Sequence, residues 1–272
     1  MPDPVDGPPV VSTRRGPLAV LTLNRPEERN PLDREMSAAL LAAMGAAMAD
    51  PDVRAVAIAA EGPAFCAGGD LRQMKNLATM PAEQAYAWPE DIVALHRAAL
   101  DAPKPMIALV DGPAYAGGMG LAGICDILLV TERARFAMPE IRMGLFPMII
   151  VAHLARAVPR KLLLDLMLTG RPIDAAEAYR AGFVTRVCDG TDELWKAADE
   201  YAGWFAQTSP LAARLGRRAF TLLADLPANQ ALDAAQFLNL TFFLGSDLAE
   251  GATAFLEKRP PSWVHNEETS DG

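Results

Sequence analysis

Apolar residues recur along this chain with two different periods. They run almost without interruption through "LAVLTLN" (residues 18–24) and "VRAVAIAA" (residues 53–60), each the length of one strand. Between these runs Met36, Leu40, Met44 and Ala47 return every three or four residues, which predicts a helix over about 34–48. A helical pattern over 82–100 stops before Pro103. The strand "PMIALVD" (105–111), a glycine-rich turn with a short helix, and the strand "DILLVT" (126–131) follow. Strands and helices alternating at these lengths predict a largely parallel sheet with helices on its faces. Beyond residue 149 the strand pattern fades except in "GFVTRVC" (182–188), and helices are expected over 151–168, 175–181, 191–208, 210–226 and 229–244. The organisation expected is therefore an α/β core over 15–200 and a helical region over 201–264. The proline-rich, acidic "MPDPVDGPPV" opens a flexible leader over 1–14, and the polar "HNEETSDG" a disordered tail over 265–272.

Composition narrows the chemistry. Of 272 residues, 25 are Lys or Arg and 34 are Asp or Glu, a net charge of −9 that argues against general binding to a phosphate backbone. Cys66, Cys125 and Cys188 are odd in number and show no C-x-x-C spacing, so neither a disulfide framework nor a zinc site is expected, and a reducing cytoplasm is the simplest setting. His96, His153 and His265 form no H-E-x-x-H, and no metal site is expected. Asp111, Asp126 and Pro147 break the longest apolar stretches before a membrane span accumulates. There is no G-x-S-x-G, and Cys66 has no histidine near it in sequence, so a hydrolase elbow or thiol nucleophile is not supported.

Two segments share one architecture of strand, small-residue turn and helix: "AFCAGGDL" (64–71) and "AYAGGMGLAG" (114–123). The second contains a G-x-G-x-x-G at Gly118, Gly120 and Gly123, but two strand units precede it, whereas a dinucleotide fingerprint usually opens its domain. Small residues let the backbone approach a ligand, and the helix that follows leaves unpaired N–H groups. Two such turns aimed at one oxygen would make an oxyanion hole.

Together with "LNRPEERNPLD" (23–33), "ARFAMPEIRMGLFP" and "EGATAFLEKRPPSW", these turns closely resemble the enoyl-CoA hydratase/isomerase family, also called the crotonase superfamily, in order and spacing from about residue 15 to 264. The resemblance implies an α/β fold built as a spiral of ββα units with a helical C-terminal trimerisation region, giving a homotrimer or dimer of trimers. It implies an acyl-CoA thioester as substrate, with coenzyme A as part of that substrate and no further cofactor. Gly69 and Gly117 are then the backbone donors of the oxyanion hole. Ala67, Gly69, Asp70, Leu71 and Arg72 line the coenzyme A arm, and Lys258 reaches its phosphates.

The same resemblance exposes a departure. Hydratases of the family hold water between two glutamates; here the first position falls on Gly120 and the second on Glu140. One carboxylate suffices to carry a proton from C2 to C4 of an enoyl thioester, so 3,2-enoyl-CoA isomerisation is favoured over hydration through an unidentified second acid. A weak acyl-CoA-binding protein, or a relative acting on another thioester, are the remaining alternatives. Met138, Met143, Leu145, Phe146 and Met148 are expected around Glu140, raising its pKa. Residues 73–89, with Met74, Leu77, Met80, Tyr86 and Trp88, are expected to wall the acyl pocket. Asp70 is read as a helix cap, Asp126, His96 and His153 as structural, and Cys66 as packing.

Overall fold

A computed structural model describes residues 7–75 and 77–264, apart from the side chains at 71, 73 and 78. The tail expected over 265–272 and the first six residues of the expected leader lie outside the described residues. The remainder of that leader is not frayed: β1 (Val10–Arg15) pairs antiparallel with β2 (Leu18–Leu23), from Val10 opposite Leu23 to Arg15 opposite Leu18. Only Val10 of β1 is buried, so this edge strand carries almost no apolar signal by which to be recognised.

The first helix, α1 (Arg34–Ala49), starts where the Asp33 carboxylate accepts the Met36 N–H at 2.8 Å, and it buries the expected Met36, Leu40, Met44 and Ala47. It leads into β3 (Ala55–Ala60) and the short α2 (Leu71–Met74). The pattern over 82–100 is two helices, α3 (Ala82–Ala87) and α4 (Glu90–Leu100). Pro89 has no N–H to continue the first, and its carbonyl accepts from Val93 at 2.9 Å to begin the second.

Next come β4 (Met106–Val110), β5 (Pro113–Tyr115), α5 (Gly117–Gly123), β6 (Ile127–Thr131) and β7 (Arg135–Ala137). The helix expected over 151–168 is likewise two, α6 (Met148–Ala157) and α7 (Arg160–Thr169), because Val158 is extended before Pro159. After β8 (Ile173–Asp174), α8 (Ala175–Arg180) and β9 (Arg186–Cys188), the chain turns helical: α9 (Gly190–Ala206), α10 (Pro210–Ala224), α11 (Ala228–Phe243) and α12 (Ser246–Glu257).

Six strands form the main sheet in the order β1-β2-β3-β4-β6-β9, and all but the β1–β2 pairing are parallel. Alternate strand residues face opposite sides. Leu21, Ile58, Ala108 and Val130 join α1 and α4 in one core, while Val20, Ala57, Ile107 and Leu129 meet Leu194, Ala198 and Ala202 of α9 in the other. A second sheet pairs β5 with β7 in parallel and β7 with β8 antiparallel. A parallel bridge from Cys66 to Ala114 sets the chain beyond β3 beside β5. Three successive passes thus repeat one path, from a long strand in the main sheet through a short strand or bridge in the small one to a helix. This is the ββα spiral expected.

The C-terminal helices are held to the core by a few polar clamps. Arg217 of α10 is 14% exposed; it bonds both Asp126 oxygens at 2.7 and 2.8 Å and the carbonyls of Ala99, Leu100 and Ala102. Arg156 pairs with Asp225. The outer faces remain apolar and open: Phe220, Leu232, Phe237, Phe243 and Leu244 are all exposed.

Candidate active site

The spiral lays the two glycine turns side by side. Tyr115 N–H donates to the Cys66 carbonyl at 2.9 Å, and Cys66 N–H to the Pro113 carbonyl at 3.2 Å. Gly68 has φ +97°, and a Cβ there would lie 2.7 Å from Ala116 Cβ, so only glycine allows the turns to touch. Ala116 is itself strained, at φ 51° and ψ −123°, a conformation held by its N–H bond to the Ala137 carbonyl at 2.8 Å. The bend throws Gly117 into the first position of α5, where the backbone N–H has no intrahelical acceptor. Gly69 and Gly117 both line one cavity of about 530 Å³, and Ala67 lines it with them.

The G-x-G-x-x-G is explained by packing. A Cβ at Gly118 would sit 2.4 Å from the Cys66 carbonyl oxygen, and one at Gly123 would sit 2.4 Å from Leu154 Cδ2. Each glycine permits α5 to press against a neighbour. Cys66 is fully buried under this contact, and burial pushes its thiol up to about 12, so it packs rather than attacks.

Glu140 enters the same cavity from the 3₁₀ turn Pro139–Met143, which Gly144 ends in the left-handed region at φ 77°. Its Oε2 is buried with no hydrogen-bond partner among the described residues, and burial raises its pKa above the ordinary carboxylate range. Met143, Leu145, Phe146 and Met148 line the cavity as expected, whereas Met138 does not: it is fully buried in the core. Glu140 and Arg142 are the only charged residues of the cavity lining among the described residues.

Position 120 has no room for a side chain. A Cβ added at Gly120 would lie 2.1 Å from Ile150 Cγ2 and 3.4 Å from His96 Nε2. His153 Nε2 donates to the Gly120 carbonyl at 3.0 Å, and His96 Nδ1 to the Ile92 carbonyl at 2.7 Å. These bonds fix the tautomers and leave His96 Nε2 as a buried lone pair without a partner among the described residues. The two imidazoles stand 5.1 Å apart. Burial lowers both pKa values, that of His153 to about 4, so the pair is neutral at neutral pH.

The remaining expected site residues are scattered. Asp70 caps α2, accepting the Arg72 N–H at 2.9 Å. The Arg72 side chain is exposed and paired with Asp70 and Glu28. Leu71 opens α2, and its side chain lies outside the described residues. Lys258 ends α12 in the left-handed region at φ 55° and does not line the cavity. Of the expected acyl wall, Met74 and Pro89 line the cavity, while Met80 and Trp88 line an adjoining hollow of about 800 Å³ that shares Leu32, Met74 and Ile92 with it. Tyr86 lines neither and is 86% exposed. Ala116, Gly68 and Ile150 went unrecognised in the sequence, since a strained φ and a contact spanning thirty residues leave no local pattern. The apolar run "LFPMII" around Ile150 was the one available sign.

No helix among the described residues is long and apolar enough to cross a membrane. Comparison with known proteins matches the Enoyl-CoA hydratase/isomerase profile to residues 13–266. A Thermus thermophilus protein named provisionally as an enoyl-CoA hydratase is 37% identical over 252 residues, 93% of this chain and 99% of that one. Enoyl-CoA hydratase EchA19 of Mycobacterium tuberculosis is 36% identical over 260 residues, covering 94% and 97% of the two chains. The crystal structure of an enoyl-CoA hydratase from Mycobacterium smegmatis superposes with a TM-score of 0.88 at 33% identity, over 95% of this chain and all of that one (100%).

Proposed function

The chain belongs to the enoyl-CoA hydratase/isomerase family, and from that membership we propose that it moves the double bond of a 3-enoyl-CoA into conjugation with the thioester. The observation that carries this reading is Glu140: one carboxylate, unpartnered at Oε2, in a lining otherwise free of acids among the described residues, with the space beside Gly120 filled.

The Glu140 carboxylate removes a proton from C2. The C–H electron pair moves towards the thioester, and the negative charge on its oxygen is met by the Gly69 and Gly117 N–H groups. The protonated Glu140 then returns the proton at C4, leaving a 2,3 double bond and an unchanged enzyme. Burial of the carboxyl suits this role, because a raised pKa makes the carboxylate a stronger base towards the weakly acidic C2–H. Coenzyme A arrives as part of the substrate, and the chemistry asks for no other cofactor. The adjoining hollow bounded by Asp70 and Met74 offers a path for the pantetheine arm.

Ultraviolet absorbance of the conjugated thioester tests the reading. A 3-enoyl-CoA should give a rise that persists. A rise followed by decay, with 3-hydroxyacyl-CoA formed, would replace it with hydration, the second reading that the names of the relatives favour. The open apolar faces of α10 and α11 support a homo-oligomer, a trimer or dimer of trimers, and the three free cysteines support a cytoplasmic setting.

A further inference from the structure

Three groups converge on one point of the cavity wall. Gly120 lies one turn along α5 from Gly117, which lines the cavity, and is itself buried behind the wall. Ile150 of α6 is 4% exposed, lines the cavity and fills the space over Gly120. Against the same point stands His96 Nε2, buried, deprotonated and without a partner among the described residues. An unpaired buried lone pair is costly, and a water would satisfy it if there were room.

We infer that Ile150 is a specificity-determining residue: it seals the wall beside Gly120, keeping water and the His96 imidazole out of the Glu140 cavity, so that the site moves protons without adding water. The inference rests on the function proposed above. It follows from a division of labour. Double-bond migration uses one group that takes a proton and gives it back. Water addition needs two, one to take a proton from water and one to deliver a proton to carbon. A second group of that kind is present in the fold, but a hydrocarbon side chain separates it from the substrate.

With Ile150 shortened, the space beside Gly120 admits a water bound to His96 Nε2. The imidazole takes one proton of that water and the hydroxyl oxygen bonds to C3. The C2–C3 π pair moves to the thioester oxygen, and protonated Glu140 then supplies a proton to C2. His96 releases its proton to solvent and Glu140 regains one. The net change is one water across the double bond, with nothing oxidised or reduced.

The test uses the full-length protein and a 3-enoyl-CoA, with the ratio of 3-hydroxyacyl-CoA to 2-enoyl-CoA read by chromatography. Ile150→Ala should raise that ratio by about tenfold or more. Adding His96→Asn, whose amide can keep the bond to the Ile92 carbonyl but has no equivalent of Nε2, should return it towards the native value. A merely structural loss would lower both products together and leave the ratio alone. Should Ile150→Ala fail to fold, Ile150→Cys also removes Cγ2, the methyl that stands over Gly120, while keeping more of the side chain, and should move the ratio in the same direction. A folded variant with an unmoved ratio overturns the assignment. Formation of 2-enoyl-CoA from the 3-enoyl-CoA by the native protein separates the two failures. If the native protein isomerises while the ratio stays fixed in the variant, only the role of Ile150 falls; if the native protein forms no 2-enoyl-CoA, the proposed function falls and the inference with it.

Discussion

At the scale of single residues the site depends on a carboxyl kept out of water. Glu140→Gln should lower turnover by about 10²–10⁴-fold while leaving thioester affinity nearly intact, as steady-state rates and ligand titration would show. The raised pKa gives a second, opposite effect on stability. Between its ordinary and its raised value the folded protein holds a proton that the unfolded chain has lost. Stability therefore falls as pH rises through that window, and the cost is fully present above it. At neutral pH Glu140→Gln should raise the melting temperature, and the gain should vanish below the ordinary glutamate pKa; a variant that melts lower at pH 7 would contradict the burial argument. Activity should fall on acidification through the same raised value, as the base becomes protonated. Glu140, Gly69 and Gly117 were legible in the sequence through the resemblance of their segments to the family, and all three line one cavity. Ile150 was not, because what it blocks is defined only once α6 lies across α5.

At the scale of elements, alternating apolar runs revealed most strands and helices, and prolines decided where two expected helices became four. The strand β1 escaped notice since only Val10 is buried, and the short strands of the second sheet since three residues are too few for a period. One side chain carries an element's attachment. Arg217 fixes α10 to the ends of α4 and β6 through one carboxylate and three carbonyls, of which the carboxylate, Asp126, also accepts the Met106 N–H at 2.8 Å. Arg217→Met should cost about 2–4 kcal/mol, because it leaves a half-buried anion and several carbonyls short of a donor. Thermal denaturation would show the loss, and proteolysis should begin between α9 and α10 before the core is cut.

For the whole molecule, the sequence disclosed the order of a sheet-bearing half and a helical half, but not which faces the helices leave uncovered. Phe237 of α11 is 75% exposed and Leu244, just past its C-terminal end, is 84% exposed, and neither α10 nor α11 has a buried residue among those described. Faces of this kind need a partner surface. Light scattering should return an assembly of this chain, and Phe237→Glu should reduce its mass. The meeting of the two glycine turns has a consequence in time. Cys66 and Tyr115 bond across nearly fifty residues of chain, with α4 and β4 between them. Such distant partners pair late, after local helices have formed. In a refolding experiment from denaturant, helical circular dichroism should return first and catalysis only after a lag, which sets the pace at which a newly made chain becomes useful.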